Sequence, residues 1–173
     1  MSVSEELLDV VDEDDQVIGV EKRGEIHARG LMHRAVHILV FNSKGDLFLQ
    51  KRSMSKDENP GLWDSSAAGH VDSGEAYLEC ARREITEELG IPGDVSLVEL
   101  FKLSPTATTG YEHSLIYRTV YDGDLVLQTE EIDAGEWVSS GVMDRRVDAL
   151  DPEFTENLFL IWNHYRDMRH RFE

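Results

Sequence analysis

Basic residues, long apolar runs and cysteine are all scarce in this sequence. Lys and Arg together number 17 against 35 Asp and Glu, which gives a formal net charge of −18. Extensive binding to nucleic acid or to an anionic membrane depends on many basic side chains, so this balance excludes both as partners. A small phosphorylated ligand is still compatible, because cations and a few local bases can bind it. No apolar run approaches the roughly 18 residues that span a bilayer.

Cys80 is the single cysteine among 173 residues, so no internal disulfide can form and a reducing compartment is indicated. The acidic start of the chain lacks the basic region and apolar core of a signal peptide. We therefore expect a cytoplasmic protein. Cys80 itself is expected to be a small helix residue and not a nucleophile, because neighbouring carboxylates would disfavour its thiolate.

Short apolar segments between turn-forming residues predict that strands make up most of the ordered structure. Residues 7–20 are predicted to form an N-terminal hairpin around an acidic turn, and residues 33–51 a second hairpin. Segment 24–30 is expected to be a loop. Further strands are predicted at 63–68, 95–103, 111–121 and 135–138. No repeat or linker interrupts the chain, so residues 1–173 are expected to form one mixed-sheet domain flanked by helices.

Two helices are predicted from apolar residues that recur at helical spacing. In the first, Glu75 to Leu89, the apolar stripe consists of Leu78, Ala81, Ile85 and Leu89, and Gly90 is placed to end the helix. The second covers about residues 152–170 and carries a stripe of Phe154, Leu158, Ile161, Trp162 and Tyr165. We expect this aromatic stripe to be core or dimer contact and not a ligand site.

Glu84, Glu87 and Glu88 are neighbours on the surface of the first helix. Pairs of like charge three or four residues apart cost roughly 0.2–0.5 kcal/mol each, and the helix dipole disfavours anions near its C-terminal end. When such a group of glutamates occurs without other motifs, it usually forms an acidic helix face in contact with solvent. A hard divalent cation would reverse the penalty, because Mg²⁺ binds carboxylates and bridges them to substrate phosphates.

The three glutamates also belong to a longer pattern, G-x5-E-x7-R-E-aliphatic-x-E-E-x-G-aliphatic, which spans residues 69–91. Its fixed positions are Gly69, Glu75, Arg83, Glu84, Ile85, Glu87, Glu88, Gly90 and Ile91. This pattern resembles the signature of the Nudix family. The resemblance implies an α/β fold, specifically an α/β/α sandwich around a mixed sheet. It also implies hydrolysis of a diphosphate by metal-activated water, with Mg²⁺ as the usual cofactor and Mn²⁺ as an alternative.

The resemblance further implies a role for each fixed residue of the pattern. Glu87 and Glu88 would be the principal metal ligands, and the carbonyl of Gly69 would supply another oxygen. Glu84 would be either a metal ligand or the general base. Arg83 and Glu75 would orient this catalytic group through an ion pair.

Segments outside this pattern of residues 69–91, which we call the box, resemble the Nudix-fold isopentenyl-diphosphate isomerases over about residues 20–120. The similarity is carried by His33–Phe41, Lys51–Lys56, Pro60–Trp63 and Ala68–His70. In the isomerases a metal is held at the positions matched here by His27, His33, His70 and Glu112. Bases that hold the diphosphate are matched by Arg52 and Lys56, and Arg23 is a further candidate for phosphate contact.

Two positions depart from the isomerase pattern. Ala68 stands where the isomerases have a catalytic cysteine, and Ser114 stands where they have a catalytic glutamate. Isomerisation needs an acid and a base on opposite faces of the double bond, and both are replaced here. The sequence therefore favours a hydrolase built on an isomerase-like frame. An isomerase-like enzyme and a domain that binds a phosphorylated metabolite without cleaving it remain the alternatives.

Several assignments stay open from the sequence. A lone histidine is more often a hydrogen-bonded structural residue than a metal ligand, so for His27 and His33 both roles stay open. His70 is better placed to bind metal, because it directly follows Gly69. Glu130, Glu131 and Glu136 compete with Glu112 as an additional ligand from outside the box. Among small-molecule diphosphates, a nucleotide is the favoured substrate. The apolar final helix and the habit of the family favour a homodimer.

Overall fold

The computed structural model describes residues 5–173. Strands β1 (Leu7–Val11) and β2 (Val17–Lys22) pair antiparallel and form a separate two-stranded sheet. Helix α1 (Arg23–Arg29) follows directly, where the sequence predicted a loop at 24–30. That prediction was wrong because a helix of seven residues shows too few turns for a periodic signal. Burial of Ile26 against Leu8 and Val10 stabilises α1 instead.

Within the described residues the main sheet has seven strands, with β3 near its centre. Strand β3 pairs parallel with β8 and antiparallel with β6, while β4 pairs with β5 and β9. The sheet is therefore mixed, as expected. Its strands are β3 (His33–Phe41), β4 (Leu47–Arg52), β5 (Trp63–Asp64), β6 (Ala67–His70), β7 (Val98–Leu103), β8 (Glu112–Val120) and β9 (Ile132–Val138).

Helices cover both faces of this sheet. Alternate residues of β3 point to opposite sides, so Val36, Ile38 and Val40 pack toward α2 (Tyr77–Leu89). Leu39 and Phe41 pack on the other side, against α3 (Ser140–Asp148) and α4 (Glu156–Met168). A 3₁₀ turn, Arg169–Phe172, closes the chain. The three layers confirm the predicted α/β/α sandwich.

The helices differ from the sequence prediction in three respects. Leu78 is 40% exposed and lies outside the core, although it was assigned to the apolar stripe of α2. Helix α3 was not predicted at all. Helix α4 begins at Glu156, later than predicted, because residues 153–155 first run beside β5, where the Trp63 N–H donates to the Glu153 carbonyl at 2.8 Å. The aromatic stripe of α4 is buried in the core.

No helix among residues 5–173 is long and apolar enough to cross a membrane.

Candidate active site

The first residues of the box lie on β6, the strand that packs against α2. Alternation along β6 turns Ala67 and Gly69 toward α2, and turns Ala68 and His70 toward the opposite face of the sheet. The carboxyl group of Glu84 occupies the space beside Gly69, since a Cβ at position 69 would lie 2.2 Å from the Glu84 carboxyl carbon. A side chain at the first position of the box would therefore displace the Glu84 carboxyl group.

The three acids of α2 differ in their exposure to solvent. Glu88 is buried and accepts hydrogen bonds from the Ala68 N–H at 3.2 Å and from Gln50 Nε2 at 3.3 Å. The Glu84 side chain is 12% exposed, whereas that of Glu87 is 51% exposed. Burial and the neighbouring Glu88 carboxylate raise the pKa of Glu84 to about 8. Burial raises the pKa of Glu88 to about 7.

Arg83 connects these acids to Glu75. Its Nε and Nη2 atoms donate to the two Glu75 oxygens at 2.8 and 2.9 Å, while Nη1 donates to Glu84 at 2.7 Å and to Glu87 at 3.3 Å. A single guanidinium thus faces the carboxylates of Glu75, Glu84 and Glu87. Glu88, the fourth carboxylate of the group, makes no ion pair among the described residues. The cluster keeps an excess of negative charge that a cation would neutralise.

A second cluster of candidate metal ligands lies on the other face of the sheet. His33 and Glu112 are register partners on β3 and β8, and His27 comes from α1. Nε2 atoms of His70 and His33 lie 2.7 and 3.3 Å from Glu112 Oε2. One ring nitrogen from each of the three histidines falls within 4.8 Å of the others. Burial alone would raise the pKa of Glu112, but hydrogen bonds from His33 and His70 outweigh it and hold this pKa well below its usual range.

The predicted phosphate-binding bases line the same cleft and have protein partners. Arg52 donates twice to the Glu58 carbonyl, at 3.0 and 2.9 Å, and Lys56 forms an ion pair with Glu131. Arg23 Nε lies 3.4 Å from His70 Nδ1. Burial, and then the Arg52 charge, lower the pKa of Lys56.

One cleft of about 600 Å³ is lined by the acids of α2, by all three bases, and by His70 and Glu112 of the second cluster. His27 and His33 do not line it. Of the rival acids, Glu131 lines it, whereas Glu130 and Glu136 do not. Cys80 is buried in α2, and burial raises the pKa of its thiol, which agrees with a structural residue.

Among the residues that line the cleft, His37 and Asn157 were not identified from the sequence. His113 is buried, and its Nε2 lies 2.9 Å from the Asp12 carbonyl. No local signal in the sequence identifies Asn157, because α4 reaches the cleft through contacts with β5 that are distant in the chain.

Comparison with known proteins gives a consistent result. The NUDIX domain family model matches residues 31–158. A protein named as an uncharacterized Nudix hydrolase of Yersinia pestis is 38% identical over 155 residues, which cover 90% of this chain and 85% of that protein. The isopentenyl-diphosphate Delta-isomerase of Serratia proteamaculans is 34% identical over 163 residues, or 91% of this chain and 87% of the isomerase. The crystal structure of DR0079 from Deinococcus radiodurans has a TM-score of 0.81 and 32% identity, and it covers 91% of this chain and 98% of that one.

Proposed function

The chain belongs to the Nudix family and is a hydrolase of phosphoric anhydrides, and on that premise we propose that it cleaves a nucleotide or related small diphosphate with Mg²⁺. The observation that carries this proposal is the grouping of the Glu84, Glu87 and Glu88 carboxyl groups at the wall of the cleft, with one guanidinium beside them. Carboxylates that repel one another at a buried site destabilise the fold. A divalent cation at this site would offset the repulsion.

The donor set of the α2 acids fits a hard cation. Glu84, Glu87, Glu88 and the carbonyl of Gly69 offer oxygen atoms, the donors that Mg²⁺ selects, and Mn²⁺ accepts the same set. When bound, the ion would neutralise phosphate charge and lower the pKa of a water molecule. Glu84 would serve either as a ligand or as the general base that accepts a proton from this water.

Other side chains would orient the acids and bind the substrate. Arg83, anchored on both oxygens of Glu75, would keep Glu84 and Glu87 turned toward the cleft. Arg52, Lys56 and Arg23 line the cleft and would bind the diphosphate oxygens. Each base would exchange part of its present protein contact for the more highly charged phosphate.

We further propose the histidine cluster as a second metal position. His27, His33 and His70 present nitrogen donors within 4.8 Å of one another, and Glu112 adds a carboxylate. Imidazole donors suit a transition metal better than they suit Mg²⁺. This position would therefore bind a different ion from the α2 acids.

The test of hydrolysis compares the wild type with Glu88→Gln in Mg²⁺. Phosphate, pyrophosphate and nucleoside monophosphate release would be measured over a panel of nucleotides and other diphosphates. Glu79→Gln is the matched control, because Glu79 is an exposed residue of the same helix. We expect turnover by the wild type and the control and its loss in Glu88→Gln. Absence of turnover by the wild type, or equal activity of Glu88→Gln, would refute the proposal.

Isomerisation of isopentenyl diphosphate is the second candidate, favoured by the 34% identity to the Serratia isomerase. Ala68 and Ser114 argue against it, because neither side chain can act as the acid or base that the reaction needs. Detection of the dimethylallyl product would reverse this assignment. Tight binding of a metabolite without turnover would instead indicate a non-catalytic domain.

A further inference from the structure

Gln50 is a polar side chain buried between the sheet and α2. Alternate residues of β4 face opposite sides of the sheet, so Phe48 packs toward α2 whereas Leu47 and Leu49 pack on the other side. Gln50 therefore faces α2, and it is only 3% exposed. A buried amide costs free energy unless it is hydrogen-bonded. The hydrogen bonds of Gln50 offset a cost that an apolar residue at this position would not have.

Strands β3 and β4 separate soon after the turn that connects them, and Ser66 lies in the gap. Phe41 and Leu47 are the one pair in register between the two strands within residues 5–173, and farther along β3 pairs with β6 instead. The Ser66 hydroxyl donates to the Phe48 carbonyl at 2.6 Å and accepts from the Val40 N–H at 2.8 Å. The backbone of Ser66 is therefore fixed between the separated strands.

The Gln50 amide extends from this gap to α2. Its Nε2 atom donates to the Ser66 carbonyl at 3.1 Å and to Glu88 Oε1 at 3.3 Å. A backbone carbonyl accepts hydrogen bonds and cannot donate them, so the nitrogen of the amide, and not its oxygen, must face Ser66. The same nitrogen then presents an N–H to the carboxyl group of Glu88.

Glu88 is held by neutral donors, unlike the other acids of α2. The Ala68 N–H donates to Oε2 at 3.2 Å, so each oxygen of the carboxylate has one donor from the protein and keeps a further lone pair. Glu84 and Glu87 instead form ion pairs with the Arg83 guanidinium. A guanidinium offsets negative charge, whereas an amide fixes the direction of a carboxylate and leaves its charge for a cation.

We propose that Gln50 is a positioning residue for the metal ion and holds Glu88 in the orientation in which it binds Mg²⁺. This inference rests on the proposed function, in which Glu88 is a metal ligand. Gln50 does not line the cleft, so it acts through Glu88 and not on the substrate. Outer groups that hydrogen-bond a metal ligand typically change metal affinity about 10- to 100-fold. The metal site thus depends on a residue 38 positions before Glu88 and outside the box.

The test replaces Gln50 with Met, which has a similar length but no N–H to donate. Calorimetry measures the binding of Mg²⁺ to the substrate-free protein, and the rate of diphosphate hydrolysis measures activation by Mg²⁺. We expect the Kd for Mg²⁺ to rise about 10- to 100-fold in Gln50→Met, and the Mg²⁺ concentration at half-maximal rate to rise with it. The value of kcat in saturating Mg²⁺ should fall by a smaller factor.

Gln128→Met is the matched control, because it makes the same chemical change beside the same helix. The Gln128 N–H donates to the backbone carbonyl of Glu88 at 2.9 Å, a bond that the substitution keeps. The control should bind Mg²⁺ as the wild type does. Gln50→Asn, whose amide is one methylene shorter and does not reach Glu88, should show the same rise in Kd as Gln50→Met. It replaces that variant if Gln50→Met does not fold.

Urea unfolding in EDTA separates a structural role of Gln50 from a positioning role. A lower free energy of unfolding in Gln50→Met with an unchanged Kd for Mg²⁺ would show that Gln50 only stabilises the fold, and would overturn the proposal. An equal rise in Kd in the Gln128→Met control would overturn it as well.

Failure of the proposed function gives a different result. If the wild type binds Mg²⁺ but hydrolyses no diphosphate, hydrolysis is refuted, and a raised Kd in Gln50→Met still supports the role of Gln50. Hydrolysis by the wild type together with an unchanged Kd in Gln50→Met would refute the role of Gln50 alone. Absence of Mg²⁺ binding to the wild type would overturn both.

Discussion

Glu112 and the pair Glu84 and Glu88 border the same cleft, yet their pKa values move in opposite directions. Burial disfavours the charged form at all three positions. Glu112 has the imidazoles of His33 and His70 beside it, and their interactions with the carboxylate outweigh burial. Glu84 and Glu88 lie beside each other, and Arg83 donates to Glu84 but not to Glu88. Burial therefore dominates at Glu84 and Glu88, whereas at Glu112 the neighbouring imidazoles outweigh it.

This difference indicates what each cluster lacks. The histidine cluster already balances its carboxylate with hydrogen-bond donors from its own chain. In the α2 cluster the Arg83 guanidinium pairs with only some of the carboxyl groups, so a bound cation would complete the charge balance. We therefore expect hydrolysis and Mg²⁺ binding to depend on the α2 cluster first, and on the histidine cluster to a smaller degree.

The largest expected contrast is in catalysis. Glu88→Gln should lower kcat for diphosphate hydrolysis by at least about 100-fold, because it removes a proposed metal ligand, whereas Glu112→Gln should lower it by about 10-fold or less. Steady-state phosphate release in saturating Mg²⁺ measures both. An equal loss in the two variants would show that the clusters act as one centre.

The effect of Mg²⁺ on the free energy of unfolding should also distinguish the α2 cluster from the histidine cluster. Mg²⁺ at about a hundredfold excess over its Kd should raise the free energy of unfolding of the wild type by about 2–3 kcal/mol. The gain should disappear in Glu84→Gln and Glu88→Gln and persist in Glu112→Gln. Urea denaturation with and without Mg²⁺ gives these values. Stabilisation that survives both α2 substitutions would place the Mg²⁺ site elsewhere.

The pH dependence of stability should reveal the repulsion at Glu84. Its pKa is about 8 in the folded protein, above the unfolded value of about 4.3, so the folded state binds more protons between these limits. The metal-free wild type should lose stability as pH rises through that window. Glu84→Gln should therefore be more stable than the wild type at pH 8, on the order of 1–3 kcal/mol, and no more stable near pH 4. Chemical denaturation with EDTA at both pH values measures this difference.

The contribution of Glu112 to stability should depend on pH with the opposite sign, and its effect should be the smallest of the four. Its folded pKa lies below the unfolded value, so its contribution to stability is present above about pH 4.3 and is lost as pH falls below that value. Glu112→Gln should thus destabilise the protein at pH 7 by about 1–2 kcal/mol, through weaker hydrogen bonds with His33 and His70. Acid titration of the unfolding free energy tests it. A gain in stability at pH 7 would reverse the contrast between the clusters.

The box was predictable because its residues are close in sequence and lie on one helix. Helical spacing alone brings Glu84, Glu87 and Glu88 together, and Gly90 ends α2 in a left-handed conformation with φ of 68°, as its position predicted. Leu78 was misassigned, since a helix wheel gives the direction of a side chain but not the packing partner that buries it.

The histidine cluster was reached through resemblance, because its members come from α1, β3, β6 and β8. A short helix such as α1 owes its existence to the burial of Ile26, a tertiary contact that local pattern does not reveal. Asn157 also depends on a tertiary contact. Backbone hydrogen bonds between Trp63 and the residues just before α4 position this helix so that Asn157 lines the cleft.

The sequence by itself determined the family, the α/β/α fold and the acids of α2, since these follow from residue spacing within single elements. Tertiary structure decided the charge state of each acid and the partners of each histidine. It also decided which polar groups line the cleft. Those properties depend on burial and on atoms brought together from distant parts of the chain, and no spacing rule along the sequence specifies them.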